Sequence, residues 1–301
     1  MADRLIQLKS GRGLGFSAAG DPIARRLVIF CHPTPGAGGF DPDPIVTDDW
    51  GVHLLSFDRP GYGVSTPLGA GDDATIEARA DDLAEYVQNS EATAEDVSRA
   101  DLGAVGVVGW GWGGQVALSL AARHPDLVDR VAVVGTAAPR RSKLRDGHGP
   151  ALDALSMKGS STIESTVERL AGGPWQLHDA LGIEPDDPGL EFPGLASRLS
   201  RMLERSALQG ELGIATDLVS AQDTAWTKEL GAITAPTKLI YGTDDPVADA
   251  DDGHWFASRV PGADVVQVAG AGRLAVSTVW GRILQHVAPH HGGIGEEQRD
   301  E

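Results

Sequence analysis

Residues 107–118 constrain this chain more than any other stretch of it. Their sequence is VVGWGWGGQVAL, in which four glycines fall within six residues. The apolar start predicts a buried β-strand, the glycines predict a tight turn, and the residues that follow predict a helix. A strand that turns directly into a helix is typical of βαβ architecture. The stretch therefore predicts a parallel sheet with helices on its faces.

Similar units recur along the chain. Residues 76–87 carry apolar side chains at helical spacing, and residues 277–286 predict a closing helix. Alternating segments at 5–8 and 14–18 flank a turn and predict an N-terminal β-hairpin. A continuous apolar run predicts a buried strand at 27–31. Further strands are predicted at 52–57, 104–108, 130–135, 237–241 and 264–268. We expect an α/β protein with a mostly parallel central sheet flanked by helices.

A different pattern occupies residues 137–230. No convincing strand occurs there, and helical segments such as 162–170 and 195–208 are separated by glycine and proline. We interpret this stretch as a helical cap inserted into the α/β core. The predicted division is a first core segment at 1–136, the cap at 137–230, a second core segment at 231–289 and a disordered polar tail at 290–301. We read the polar stretch 89–101 as a surface excursion.

Composition argues against several classes of function. The 301 residues include 25 Lys and Arg against 43 Asp and Glu, a formal net charge of −18, which argues against nucleic acid or an anionic membrane as partner. Cys31 is the one cysteine, so an internal disulfide and a cysteine-based zinc site are excluded, and we predict no metal. The start lacks the apolar run of a signal peptide, and we expect a cytoplasmic protein. Composition leaves the oligomeric state open.

Five landmarks together carry a family resemblance. They are, in chain order, HPTPG at 32–36, DRPGYGVS at 58–65, GWGWG at 109–113, GTDDPV at 242–247 and GAGRL at 270–274. In this order the chain resembles the α/β-hydrolase fold, in the group close to proline iminopeptidases and to small-substrate ester and epoxide hydrolases. The resemblance covers roughly residues 5–288. It implies an oxyanion loop, a strand-end turn, a nucleophile elbow, an acid loop and a histidine loop.

Two catalytic positions depart from the family pattern. Gly111 stands where the family has its nucleophilic serine, and Arg273 stands where it has its catalytic histidine. Asp245 matches the triad acid. The resemblance also implies that the backbone N–H groups of Thr34 and Trp112 form the oxyanion site, and that His32 orders the loop around it. Gly111 is expected to adopt the positive φ of the elbow without the strain that a side chain would bring.

These departures exclude ordinary serine hydrolysis in our interpretation. Glycine cannot attack a carbonyl, and an arginine stays protonated near neutral pH and cannot act as a base. Losing the nucleophile or the base costs about 10⁶ in kcat. We therefore expect a non-hydrolytic member of the fold that binds a small ligand, such as an acid or an ester, or a partner. Arg273 would either pair with Asp245 or bind a carboxylate or phosphate of the ligand.

An enzyme of the same fold is the alternative. A cofactor-free lyase, isomerase or cyclase, or a weak hydrolase with a relocated base, would need a histidine facing the cavity. His32, His148 and His178 are the candidates, paired with a carboxylate or with Tyr62.

Dinucleotide binding is a third possibility, because residues 109–114 formally match the pattern GxGxxG. The tryptophans at 110 and 112 would crowd a pyrophosphate, and no acidic residue ends the next strand. We therefore predict no cofactor.

Overall fold

The computed structural model describes residues 4–92, 104–139, 162–171 and 181–289, and its centre is an eight-stranded sheet. The strand order is β1-β2-β4-β3-β5-β6-β7-β8. The first two pairings, β1 with β2 and β2 with β4, are antiparallel, and the remaining pairings are parallel. In chain order the strands are β1 Arg4–Gln7, β2 Gly13–Gly20, β3 Leu27–Cys31, β4 His53–Phe57, β5 Val105–Trp110, β6 Val128–Val134, β7 Thr237–Gly242 and β8 Asp264–Val268. The predicted hairpin and the mostly parallel sheet are confirmed.

Helices connect the strands and cover both faces of the sheet. In chain order they are α1 Pro44–Trp50, α2 Ile76–Ala92, α3 Gly113–Arg123, α4 Ile163–Ala171, α5 Leu195–Ser206, α6 Leu212–Ser220, α7 Ala250–Ala257, α8 Ala275–Thr278 and α9 Trp280–Val287. Short 3-10 turns lie at Pro188–Glu191, Ala225–Lys228 and Leu230–Ala232.

The core has two layers, one on each face of the sheet. Along β3, Ile29 and Cys31 point into the layer that α2 and α3 cover, whereas Val28 and Phe30 point into the layer that α5, α8 and α9 cover. All residues of β3 and β5 are buried, which explains why their sequences are continuous apolar runs and do not alternate. The carboxyl ends of these strands carry the loops that form the candidate site.

The segment between β6 and β7 contains only helices and turns where it is described, at 162–171 and 181–236. This agrees with the absence of strand patterns there, and the division into core and cap stays a prediction. The tail at 290–301 lies outside the described residues. Within the described ranges no helix combines the length and the apolar character that crossing a bilayer requires.

Several boundaries differ from the predictions. Helix α2 continues to Ala92, so the surface excursion predicted from residue 89 begins later, and its remainder from 93 to 101 lies outside the described residues. The single closing helix predicted at 277–286 is two helices, because Val279 leaves helical geometry (φ −120°, ψ 24°). This break directs Trp280 into the core, where its Nε1 donates to Thr47 Oγ1 at 2.9 Å. The sequence analysis missed α1, although Asp43 caps it ahead of a proline, and it missed α6.

The start of α3 packs directly against the end of β3. A Cβ at Gly113 would overlap the carbonyl oxygens of Cys31 and His32. Because both obstructing atoms belong to the backbone of a buried strand end, they cannot move aside as a flexible side chain could. Glycine at 113 therefore allows the elbow and the loop after β3 to lie side by side.

Replacing Gly113 by alanine should destabilise the fold by about 1–3 kcal/mol or more, because the added methyl group forces α3 away from β3. Urea denaturation would measure the change. Gly69→Ala is the matched control, since its nearest contact would be Asp72 Oδ2 at 3.6 Å on an exposed turn. We expect that variant to lie within about 0.5 kcal/mol of the parent protein. Equal stability of the two variants would contradict this account of the packing.

Candidate active site

The elbow lies between β5 and α3 and has the predicted geometry. Gly111 has φ of 57°, the left-handed region that favours glycine, and its N–H donates to Val134 O at 2.9 Å. Trp110, the last residue of β5, is fully buried. The apolar strand, the turn and the helix thus place residue 111 at the top of the sheet, with its Cα facing the loop after β3.

The guanidinium of Arg273 lies where a side chain at residue 111 would begin. A Cβ at Gly111 would overlap Nη2 of Arg273, and its next neighbour would be Pro33 Cβ at 3.4 Å. The two substituted positions are therefore in direct contact. The absence of a side chain at 111 is what leaves room for the arginine.

Arg273 is held by three hydrogen bonds from its side chain. Nε donates to Leu181 O at 3.0 Å, and Nη1 donates to Gly135 O at 2.6 Å and to Asp245 Oδ2 at 3.3 Å. Its backbone carbonyl accepts from Trp110 Nε1 at 3.1 Å. The side chain is only 6% exposed. A buried charge needs such partners, because desolvation without them is costly.

Asp245 follows β7 and is buried next to Arg273. Its Oδ1 accepts from the N–H groups of Val247 at 2.8 Å and Ala248 at 3.3 Å, and its Oδ2 faces the arginine. The predicted acid therefore forms an ion pair with the residue at the histidine position. No described histidine contacts it.

The two amides expected at the oxyanion site flank this pair. Trp112 is the residue before α3, whose first turn has no side-chain cap. Neither its N–H nor that of Thr34 donates to another described residue. The ends of parallel strands bring these loops together, since Pro33 is the neighbour of Gly111 across the turn. Free backbone donors and the start of a helix favour an anion or a polarised oxygen.

A buried ion pair that sequence reasoning missed fixes the loop carrying Thr34. Arg59 donates to Asp217 through Nε at 3.0 Å and through Nη2 at 2.6 Å, and Asp217 lies on α6. Asp217 Oδ2 also accepts from Thr34 Oγ1 at 2.5 Å and from Tyr62 OH at 2.8 Å. Burial alone would lower the pKa of Arg59, but the charge of Asp217 overcomes this effect and raises it. A lone carboxylate in the apolar sequence LGIATDLVS was the available signal.

Arg59 also connects this pair to the elbow. Its Nη1 donates to His32 O at 2.6 Å and its Nη2 donates to Pro33 O at 2.9 Å. Its guanidinium carbon lies 4.5 Å from the centroid of the Trp112 ring, a cation–π contact. The turn at 58–65 thus contacts both sides of the predicted oxyanion site.

His32 lies beneath the loop with both ring nitrogens engaged. Nδ1 donates to Pro33 O at 2.8 Å, and Nε2 accepts from the Arg59 N–H at 3.4 Å, which assigns the neutral Nδ1–H tautomer. Burial and the charge of Arg59 hold the pKa of His32 well below its usual range. This fully buried ring, with both nitrogens occupied, bonds to the loop at Pro33 O and has no lone pair left for a substrate.

Other candidate groups lie away from the elbow or are inert. Burial raises the pKa of the Cys31 thiol to about 12, so it is not a thiolate nucleophile at neutral pH. His254 is exposed on α7, and His286 binds backbone carbonyls of β6 and the segment before β7. His148 and His178 lie outside the described residues. In the described ranges no three His, Cys, Asp or Glu side chains are grouped as metal ligands would be.

Comparison with known proteins agrees with this architecture. A family model described as the alpha/beta hydrolase fold matches residues 26–278. The chain belongs to the α/β-hydrolase family. The match begins just before β3 and ends with α8, so it includes the elbow and the loops that carry Asp245 and Arg273.

This chain is similar to bacterial esterases and hydrolases. It is 28% identical over 242 residues to a pimeloyl-[acyl-carrier protein] methyl ester esterase of Chromobacterium violaceum, covering 75% of this chain and 84% of that one. It is 26% identical over 200 residues to an (E)-2-((N-methylformamido)methylene)succinate hydrolase of Acinetobacter baylyi, covering 66% and 65%. A hydrolase from Pseudomonas aeruginosa has the same fold, with a TM-score of 0.68, 17% identity and coverage of 94% and 97%.

Asp217→Asn should destabilise this α/β hydrolase by about 3–5 kcal/mol, because it leaves the buried Arg59 charge without its counter-ion. The free energy of unfolding from urea titration measures this. Asp223→Asn is the control, since Asp223 is exposed just after α6 and only accepts from Ala225 N at 2.8 Å. That change should cost less than about 0.5 kcal/mol. A difference of under 1 kcal/mol between the two variants, on the order of a surface effect, would contradict the role given to Asp217.

Because of the buried His32 side chain, we expect the folded protein to lose stability in mild acid. Its pKa is lowered in the folded state, so below about pH 6.5 the unfolded chain takes up a proton that the folded chain does not. Stability from this residue is therefore lost as pH falls. The variant His32→Gln lacks this pH-dependent loss. We expect it to be less stable than the parent protein, by a difference that shrinks by about 1.4 kcal/mol as the pH falls from about 7.5 to about 5.5.

Asp41 provides a control in which the pH dependence of stability has the opposite sign. Burial raises the pKa of its carboxyl to about 6, so its ionisation destabilises the folded state as pH rises through that value. Asp41→Asn removes this effect, so this variant should gain relative to the parent as pH rises. The same trend in both variants would show that general acid unfolding, and not these two groups, governs the profile.

Proposed function

We propose that this protein binds a small ligand at the elbow and does not hydrolyse esters through a serine-type nucleophile. The observation that carries the proposal is the contact between Gly111 and Arg273. Where a hydrolase of this fold needs a hydroxyl, this chain has a bare Cα covered by a guanidinium. Binding and backbone donors alone leave only about 10³–10⁴ of rate enhancement over water.

The retained parts of the site support binding. The N–H groups of Thr34 and Trp112 have no acceptor among the described residues, and the buried pair of Arg59 and Asp217 holds the loop that carries Thr34. A strongly buried ion pair is costly to assemble. Its presence beside a site without a nucleophile agrees with a pocket kept in shape for a ligand. The net charge of −18 argues against nucleic acid or an anionic membrane as the partner.

Hydrolysis or other turnover is the second candidate, because the relatives named above are an esterase and a hydrolase. It requires a base other than the family histidine. Within the described residues the choices near the elbow are poor. His32 has both nitrogens occupied, and burial raises the pKa of Tyr62 well above its usual range while its hydroxyl donates to Asp217. His148 and His178 remain as the candidates for this alternative.

Restoring the family residues tests the proposal. The parent protein should hydrolyse small aryl esters at the background rate, whereas Gly111→Ser combined with Arg273→His should exceed that rate by about ten-fold or more, since nucleophile and base are then both present. Initial rates with a nitrophenyl acetate and a nitrophenyl butanoate measure this. Adding Asp245→Asn to the double variant is the control and should return it towards background. Hydrolysis by the parent protein above the background rate would overturn the proposal.

The single variants report on the contact itself. Gly111→Ser alone places its Cβ on Arg273 Nη2 and should cost about 1–3 kcal/mol of stability. Arg273→His alone leaves Asp245 without its counter-ion. Because Arg273→His removes the obstacle that the serine side chain meets, the double variant should be more stable than the sum predicts, by about 0.5–3 kcal/mol.

A further inference from the structure

We infer that Arg273 and the two oxyanion amides form a carboxylate-binding site, and that the ligand of this protein is a monocarboxylic acid and not a neutral ester. The inference rests on the proposed function and names the ligand class for the same site. Three observations carry it: the donors that Arg273 leaves free, the position of those donors, and the charges around them.

Some N–H donors of Arg273 have no acceptor among the described residues. A guanidinium has five N–H donors. Nε and Nη1 bind Leu181 O, Gly135 O and Asp245 Oδ2, whereas Nη2 donates to no described residue. Its side chain is more than nine-tenths buried. Because the other N–H donors of the side chain are taken, Nη2 is the part of Arg273 that can donate to an acceptor oxygen of a ligand.

Nη2 lies beside the elbow, at the turn that carries the amide of Trp112. Nη2 lies over Gly111, at the place where a side chain would begin. The next amide along the chain is that of Trp112, at the uncapped start of the eleven-residue helix α3. Thr34 follows Pro33, whose Cβ is 3.4 Å from that same place. One carboxylate oxygen can accept from the amides while the other accepts from Nη2, an arrangement in which every hydrogen bond is assisted by charge.

The surrounding charges favour an anion with a single charge. The positive charge of Arg59 is already balanced by Asp217 at 2.6 Å, so it adds little net attraction. Asp245 balances Arg273 incompletely, through one contact at 3.3 Å, because its other oxygen accepts from two backbone amides. A dianion such as phosphate would meet more repulsion from Asp245 than a carboxylate would. A neutral ester carbonyl would accept from Nη2 but would add no negative charge to the incomplete balance that Asp245 provides.

Calorimetric titration of the full chain tests the inference. The probes are straight-chain monocarboxylates from acetate to octanoate, the methyl ester of each acid, and inorganic phosphate. We expect at least one acid to bind, its methyl ester to bind about ten-fold more weakly or worse, and phosphate to give no heat of binding. Failure of every acid to bind, or equal affinity for an acid and its ester, would overturn the inference.

Two substitutions with opposite expected effects separate binding from folding. Arg273→Met removes the charge and should weaken the acid about 10- to 100-fold, with Arg201→Met on the exposed face of α5 as the control. Asp245→Asn removes the neighbouring negative charge and should tighten binding several-fold. If Arg273→Met does not fold, Asp245→Asn and the ratio of acid to ester affinity still decide. Weaker binding in Asp245→Asn would contradict the charge argument.

The outcome also separates this inference from the proposed function. Hydrolysis of a methyl ester by the parent protein would refute the proposed function. The measured affinity for the acid would still test the carboxylate site independently. Absence of both hydrolysis and acid binding would refute the carboxylate site alone.

Discussion

The guanidinium of Arg273 reaches the centre of the site only because residue 111 has no side chain. That one steric relation links the elbow, the acid loop and the loop after β8. The arginine spans them with bonds to Gly135 O and Asp245, and its own carbonyl accepts from Trp110. In a triad the corresponding contacts move protons. Here they hold a permanent charge in a buried position, which requires partners at every side except the one that faces Gly111.

The segment between β6 and β7 completes the site from the other side. Asp217 binds Arg59 and Thr34, Leu181 O accepts from Arg273, and Asp187 Oδ2 accepts from the N–H of Leu274 at 3.0 Å. The loops after β3, β4 and β8 are thus tied to residues of this segment. Because two of these residues are buried carboxylates, a shift of the segment would expose or unpair charges. The geometry of the site therefore depends on the packing of this segment.

Sequence reasoning was accurate where a local pattern has one physical meaning. The apolar runs at 27–31 and 264–268 became β3 and β8 with those boundaries, and the turn at 111 has its expected positive φ. It was inaccurate where contacts between distant parts of the chain determine the local structure. The break at Val279 follows from burying Trp280 against Thr47, and the partner of Arg59 lies on α6, far along the chain. No local pattern joins two residues that meet only after the segment folds over the strand ends.

By itself, the sequence determined the α/β class and the order of the motifs along the chain, and it predicted the two substituted positions, because these depend on periodicity, glycine conformation and residue identity. Only the tertiary structure decided that Gly111 and Arg273 touch, that Asp245 pairs with the arginine, and that His32 has no free nitrogen. The physical reason is that hydrogen-bond saturation and desolvation are properties of a packed neighbourhood. The residue type determines which hydrogen-bond donors a side chain has, and the fold determines which of those donors remain without an acceptor.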